Sequence, residues 1–170
     1  PVDTVLIAHG SLPDQVSCQD NLHAVQNALW VNGLSPALIA EAFIGTMQRA
    51  GYGRLCIIGS VAGDRGRKSN YIYGAAKGLV DRYAQGLQHR LALANSPVRV
   101  TLAKPGPTDT PMTAHLKQGG AKLASSKVVA QSIVKAMAAG HPVVYTPGKW
   151  ALIMLVIRHL PRFLFNKADI

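Results

Sequence analysis

The segment Leu55-Cys56-Ile57-Ile58-Gly59-Ser60-Val61-Ala62-Gly63 constrains the fold most. Its apolar run reads as a buried strand, and the strand runs straight into a loop of small residues. Similar short runs recur along the chain with helical stretches between them. Residues 3–8 form a strand ending at His9-Gly10, residues 54–60 contain the strand just described, residues 98–103 give a third and residues 143–145 a fourth. Residues 20–50 read as one long helix, with Leu22, Val25, Leu29, Leu34, Leu38, Ala42 and Phe43 near helical spacing. Residues 70–91 form a second helix, with Ile72, Ala76, Leu79, Tyr83, Leu87 and Leu91 along one stripe. Residues 126–138 form a third, capped by Ser125 or Ser126, and residues 150–160 a last one, ended by Pro161. Strands alternating with helices give an α/β fold with a parallel sheet. In open sheets of this kind, sites lie beyond the carboxyl ends of the strands, and Ser60 stands at such an end.

Tyr73 and Lys77 are four residues apart, and Ser60 lies thirteen residues before Tyr73. On a helix, positions i and i+4 share a face. A phenol ordinarily titrates near 10 and is a poor acid or base at neutrality. A lysine cation beside it favours the phenolate and lowers that value, so the pair is expected to work as an acid–base catalyst. Ser60 is placed to offer its hydroxyl to a substrate oxygen. In the long helix, Asn32-Gly33-Leu34-Ser35-Pro36 marks an interruption, because Pro36 has no N–H for the carbonyl of Asn32. A free backbone carbonyl inside a helix is a ready water site.

A chain of 170 residues, 48% of them hydrophobic, is long enough for one domain with a proper core. Cys18 and Cys56 show no metal spacing, and the six histidines include no ligand pair, so no metal is expected. Nothing in the sequence points to an oxidising compartment or a signal peptide, and the expected location is the cytoplasm, with the inner face of the membrane as a refinement. The net charge of +10 favours anionic partners. The basic residues are dispersed and no stacking platform accompanies them, so nucleic acid is not expected. Some charge gathers at Arg65, Arg67 and Lys68, and some at Arg158, His159, Arg162 and Lys167.

With the strand, the serine and the Tyr-x-x-x-Lys spacing in register, the chain resembles the short-chain dehydrogenase/reductase family. The resemblance implies a Rossmann-like sheet, an NAD(P)H cofactor, a small-molecule carbonyl substrate and a homo-oligomer. It gives Ser60 the polarisation of the substrate carbonyl, Tyr73 the proton transfer, and Lys77 the nicotinamide ribose and the tuning of the tyrosine. Asn32 matches a helix asparagine that holds a relay water. Pro105 and Gly106 match a turn over the nicotinamide, Thr110 a threonine that contacts its carboxamide, and Thr108 stands two residues earlier. Residues 112–124 fall where the family carries a mobile substrate lid. Ala8-His9-Gly10 departs from the family's Asn-Asn-Ala-Gly and leaves the role of His9 open.

The resemblance implies that Pro1 begins at the family's fourth strand. Residues 1–170 are then one partial domain, its catalytic half, without the N-terminal strands and the glycine-rich turn that holds pyrophosphate. A finer resemblance is to a branch that reduces a keto sugar carried on a polyprenyl phosphate. It rests on Gly51-Tyr52-Gly53, Tyr71-Ile72-Tyr73-Gly74, residues 112–117 and Arg158-His159-Leu160-Pro161-Arg162. The eight apolar residues 150–157 are too few to span a bilayer. With the basic and aromatic residues after them, they form a hydrophobic and basic segment over 150–170, read either as a core or subunit-contact helix or as a peripheral membrane contact beside a lipid-linked substrate. Three readings stand at this point: an oxidoreductase, an inactive binding or structural module, and a basic protein of the membrane surface.

Overall fold

The computed structural model describes residues 2–168, so Pro1, Asp169 and Ile170 lie outside it. The chain lays down β1 (Thr4–Ile7), β2 (Arg54–Ile58) and β3 (Arg99–Pro105), then a short ladder of β4 (Thr108–Asp109) with β5 (Ala124–Ser125), and finally β6 (Val143–Thr146). The main sheet has the order β1-β2-β3-β6, and every pairing in it is parallel. β2 lies inside the sheet, with Leu55 opposite Val5 and Val100, and Ile57 opposite Ile7 and Leu102.

Helices cover both faces, as parallel strands require. They are α1 (Gln15–Asp20), α2 (Leu22–Leu29), α3 (Ser35–Ala50), α4 (Tyr71–Leu93), α5 (Ala114–Gln118), α6 (Ser126–Ala139), α7 (Lys149–His159) and α8 (Arg162–Phe165). Leu55 and Ile57 join Ile44 and Met47 of α3 and Val80 and Leu87 of α4 in one core. Cys56 points to the opposite face, against Val129, Ile133 and Met137 of α6. That alternation is the two-residue period of a strand. Burial pushes the Cys56 thiol up to about 12, which fits the small inert hydrophobe expected there.

The expected elements appear with their ends shifted by a few residues. The long helix over 20–50 differs in its interior. Asn21 separates α1 from α2, its side chain accepting from the Ala24 N–H at 3.1 Å. The interruption around Asn32 is a π-helical turn, Trp30–Leu34, in which the Ser35 N–H reaches back to the Trp30 carbonyl. A five-residue step lets the helix pass Pro36 without breaking. Ser125 occupies the cap position of α6, but its side chain makes no capping bond.

Candidate active site

Ser60 follows β2 at its carboxyl end and caps a single 3₁₀ turn, Val61–Gly63. Its Oγ accepts the Ala62 N–H at 3.1 Å. One acceptor position of the hydroxyl is therefore filled, and its proton is available to the cavity or to Tyr73. Tyr73 and Lys77 lie in the first two turns of α4. The loop and the helix approach each other backbone to backbone. A Cβ on Gly63 would meet the Lys77 carbonyl carbon at 2.7 Å, and one on Gly74 the Ala62 carbonyl oxygen at 2.9 Å. Only glycine permits that approach, and it carries the serine up to the tyrosine.

The Ser60 and Tyr73 side chains border the same cavity, and the serine hydroxyl favours the phenolate. Lys77 is 3% exposed, and its Nζ donates to the Ile58 carbonyl at 2.9 Å. Burial lowers its pKa to about 8. One expectation from the sequence is overturned here. Burial raises the Tyr73 pKa, and the neighbouring Ser60 hydroxyl opposes that rise without cancelling it. Lys77 Nζ lies 5.8 Å from the centre of the Tyr73 ring and directs its bond to Ile58 instead. Desolvation of the phenolate outweighs a cation held at that distance. The phenol of the unliganded protein is thus a proton donor at neutral pH.

Asn32 is fully buried. Its Oδ1 accepts the Ser11 N–H at 2.9 Å, and its Nδ2 donates to the Ala28 carbonyl at 3.0 Å and to Ser11 Oγ at 3.3 Å. The side chain thereby ties the π turn to Ser11, in the loop after β1. A Cβ on Gly10 would come within 3.0 Å of Asn32 Oδ1 and 3.7 Å of Lys77 Nζ, so both side chains flank the end of β1. His9 Nε2 bonds Ser35 Oγ at 3.0 Å while the residue lines the cavity.

These residues border one cavity of about 430 Å³ beyond the carboxyl ends of β1, β2 and β3. Pro105, Gly106, Thr108 and Thr110 line it as well. Thr108 Oγ1 donates to the Gly106 carbonyl at 2.9 Å. The Thr110 N–H donates to Thr113 Oγ1 at 3.2 Å, and the Thr113 hydroxyl donates to the Thr108 carbonyl. Thr113, given no role of its own in the sequence, therefore fixes this turn. Residues 112–124 contain α5, and Met112 and Leu116 border the cavity. The opposite wall includes Val129, Ile133 and Val134 of α6, which periodicity alone gave no reason to assign to a site. Arg67 and Asn70 also line it, whereas Arg65 is engaged elsewhere. Its guanidinium donates to the Ile157 carbonyl at 2.7 Å and stacks on the Phe165 ring at 4.0 Å, tying the loop to α7 and α8.

The cavity fits the nicotinamide-ribose part of a dinucleotide. Its floor is bare backbone at Gly10, Gly59 and Gly106, and a buried ammonium and a phenol stand ready for hydroxyl oxygens. Comparisons with known proteins agree with this form. The short chain dehydrogenase family profile matches residues 1–121. An uncharacterized oxidoreductase of Mycobacterium tuberculosis is 33% identical over 98% of this chain, and one of Streptomyces coelicolor is 34% identical over the same share. The chain spans 66% and 64% of those two relatives. Among solved structures, a short chain dehydrogenase from Burkholderia cenocepacia in complex with NADP superposes with a TM-score of 0.82 at 19% identity, over 98% of this chain and 68% of that one. A short-chain dehydrogenase from Streptomyces avermitilis gives 0.79 at 16% identity, over the same shares.

Proposed function

Since the chain belongs to the short-chain dehydrogenase family, we propose that it interconverts a carbonyl and a secondary alcohol with NAD(P)H, and that Ser60, Tyr73, Lys77 and Asn32 are the working groups. The observation that carries this reading is the convergence of the Ser60 hydroxyl and the Tyr73 phenol on one cavity, with Lys77 buried behind them. The cofactor, when bound, supplies or accepts the hydride. Lys77 and Tyr73 would hold its ribose, and Pro105, Gly106, Thr108 and Thr110 its nicotinamide.

Ser60 uses its free proton to hold the carbonyl oxygen. Tyr73, kept protonated by burial, donates to that oxygen as negative charge develops on it. Lys77, with its pKa near 8, is an acid of suitable strength to restore the phenol proton. A water on the Asn32 carbonyl would connect the lysine to solvent. The decisive experiment is spectrophotometric turnover of NAD(P)H with a panel of carbonyl compounds by wild type and Tyr73→Phe. Equal rates would sink the assignment.

The finer reading, a keto sugar on a polyprenyl phosphate, draws support from the C-terminal segment. Leu152, Leu155, Val156, Phe163 and Leu164 are exposed, and Arg158, Arg162 and Lys167 stand among them. An apolar face edged with cations suits the surface of an anionic membrane, where a lipid-linked carbonyl would reside. A separate exposed stripe, Trp30, Leu34, Leu38 and Leu79, suits the contact of a homo-oligomer.

A further inference from the structure

Helix α7 turns one stripe inward, Trp150, Met154 and Ile157, at the spacing of a single helix face. Met154 is 1% exposed, Trp150 and Ile157 are half-buried, and the residues between them are exposed. The two ends of this stripe meet two different loops of the candidate site.

At the N-terminal end, the Trp150 indole lies against the bare backbone of Gly106. A Cβ added there would stand 2.0 Å from Trp150 Nε1 and 2.3 Å from Cε2. Gly106 borders the cavity and Trp150 does not, so the indole backs the turn from outside. The turn is also fixed by its own main chain, the Gly106 N–H donating to the Thr146 carbonyl at 3.0 Å. At the C-terminal end, the last carbonyls of a helix lack partners within it. Arg65 supplies one. Its guanidinium donates to the carbonyls of Ile157 at 2.7 Å and Arg158 at 3.3 Å, and to that of Leu160. A cation there also meets the negative end of the helix dipole, and it stands over the Phe165 ring of α8, 4.0 Å from the ring centre. Arg65 comes two residues after the turn that Ser60 caps. Trp150 and Ile157 are seven residues apart, so the anchors are separated by roughly 10 Å of helix, at about 1.5 Å per residue.

We propose that Arg65 and Trp150 are positioning residues, which use α7 as a brace to hold the Ser60 loop and the Pro105-Gly106 turn at a fixed separation across the cavity. The proposal rests on the carbonyl-reducing reading of this site and adds what keeps its two sides in register. Ser60 meets the substrate oxygen from one side, and the turn meets the nicotinamide from the other. A hydrogen-bonded helix does not stretch, so release of either end lets both loops drift.

The first test needs no turnover. Trp30 and Trp150 are the two tryptophans of the chain, so W30F makes the emission report on Trp150 alone. In that background R65Q, made at the far end of α7, should let acrylamide quench Trp150 more readily and move its emission to the red, with a cooperative melt retained. R65K keeps a charge and a donor and should fall between. K135Q, which removes an exposed charge from α6, should change nothing. The second test is turnover of NADPH with a carbonyl compound that the wild-type protein reduces. R65Q and W150F should each lower kcat by about tenfold or more, as a small misplacement of reacting groups does, while KM changes far less. The double variant should lose little beyond the worse single one, because both break one brace. Unchanged quenching of Trp150 in R65Q, or additive losses of kcat in the double variant, would overturn the proposal. If R65Q does not fold, F165A takes its place: it strips the ring from the guanidinium and keeps the charge, and raised quenching supports the brace while unchanged quenching overturns it. A wild-type protein without turnover fails the carbonyl-reducing reading alone, and the quenching then decides the brace by itself.

Discussion

Lys104 of β3 and Asp81 of α4 form an ion pair of 2.7 Å beneath the candidate site. Asp64, on the loop after Ser60, bonds the same ammonium, and Tyr145 of β6 donates to Asp64 at 2.8 Å. Burial works against the Lys104 cation, but the two carboxylates outweigh it and hold its pKa above the ordinary lysine range. The cluster fastens the site loop, α4 and two strands at one point.

Lys104→Met should therefore destabilise the protein by about 3–5 kcal/mol, because it leaves two carboxylates uncompensated in the interior. Denaturant melts measure this. The triple variant Lys104→Met/Asp64→Asn/Asp81→Asn should recover part of the loss. A single variant with wild-type stability would mean that the cluster is solvated.

Tyr73→Phe should lower turnover by about 10²–10⁴-fold while the circular dichroism spectrum is retained. Ser60→Ala should also lower turnover. It removes the acceptor of the Ala62 N–H as well, so a modest drop in melting temperature should accompany it.

Lys77 makes stability depend on pH in a particular direction. Its pKa in the folded protein, about 8, lies below its ordinary value of 10.5. Between those values the unfolded chain binds more protons, so this residue's contribution to stability rises with pH. The difference in melting temperature between wild type and Lys77→Met should shift in favour of wild type from pH 7 to pH 10. A difference that stays flat over that interval would show an ordinary lysine pKa.

If the C-terminal face meets a membrane, the protein should sediment with vesicles of anionic lipid at low salt and less so at high salt. Arg158→Glu/Arg162→Glu should weaken that binding. Protein remaining in the supernatant with both anionic and neutral vesicles would assign the exposed residues of α7 and α8 to another contact.

The sheet was legible because Leu55-Cys56-Ile57 is apolar on both faces, and only a strand covered on both sides tolerates that. Ser60, Tyr73 and Lys77 were legible because their spacing follows from one strand, one loop and one helix. The π turn was not. Pro36 announces a lost hydrogen bond, but whether the helix breaks or takes a longer step depends on the packing of Gly33 against Ala76. β4 and β5 are two residues each, too short to carry a period. The direction of the Tyr73 pKa was misread because sequence gives the distance to Lys77 along a helix but not the carbonyl to which the ammonium turns. Arg67 and Asn70 fell within a noted basic stretch and at a noted helix start. The cap of α4 comes instead from Gln15, a contact that no local pattern encodes.

The near contact of Gly63 and Gly74 with the opposing main chains has a consequence for how such a site changes over time. Gly63 is also tied to Ser60 through its N–H, which donates to the Ser60 carbonyl at 3.1 Å. The separation of the serine loop from the tyrosine helix is thus set by two bare main chains. Other walls of the cavity are side chains on separate elements, Leu116 of α5 and Val129 and Ile133 of α6 among them. Substitutions there can retune which molecule is accepted while the reacting pair keeps its spacing, so selectivity and chemistry are inherited on separate parts of the chain. A single added methyl at either glycine would do the reverse, altering the chemistry and leaving the walls untouched.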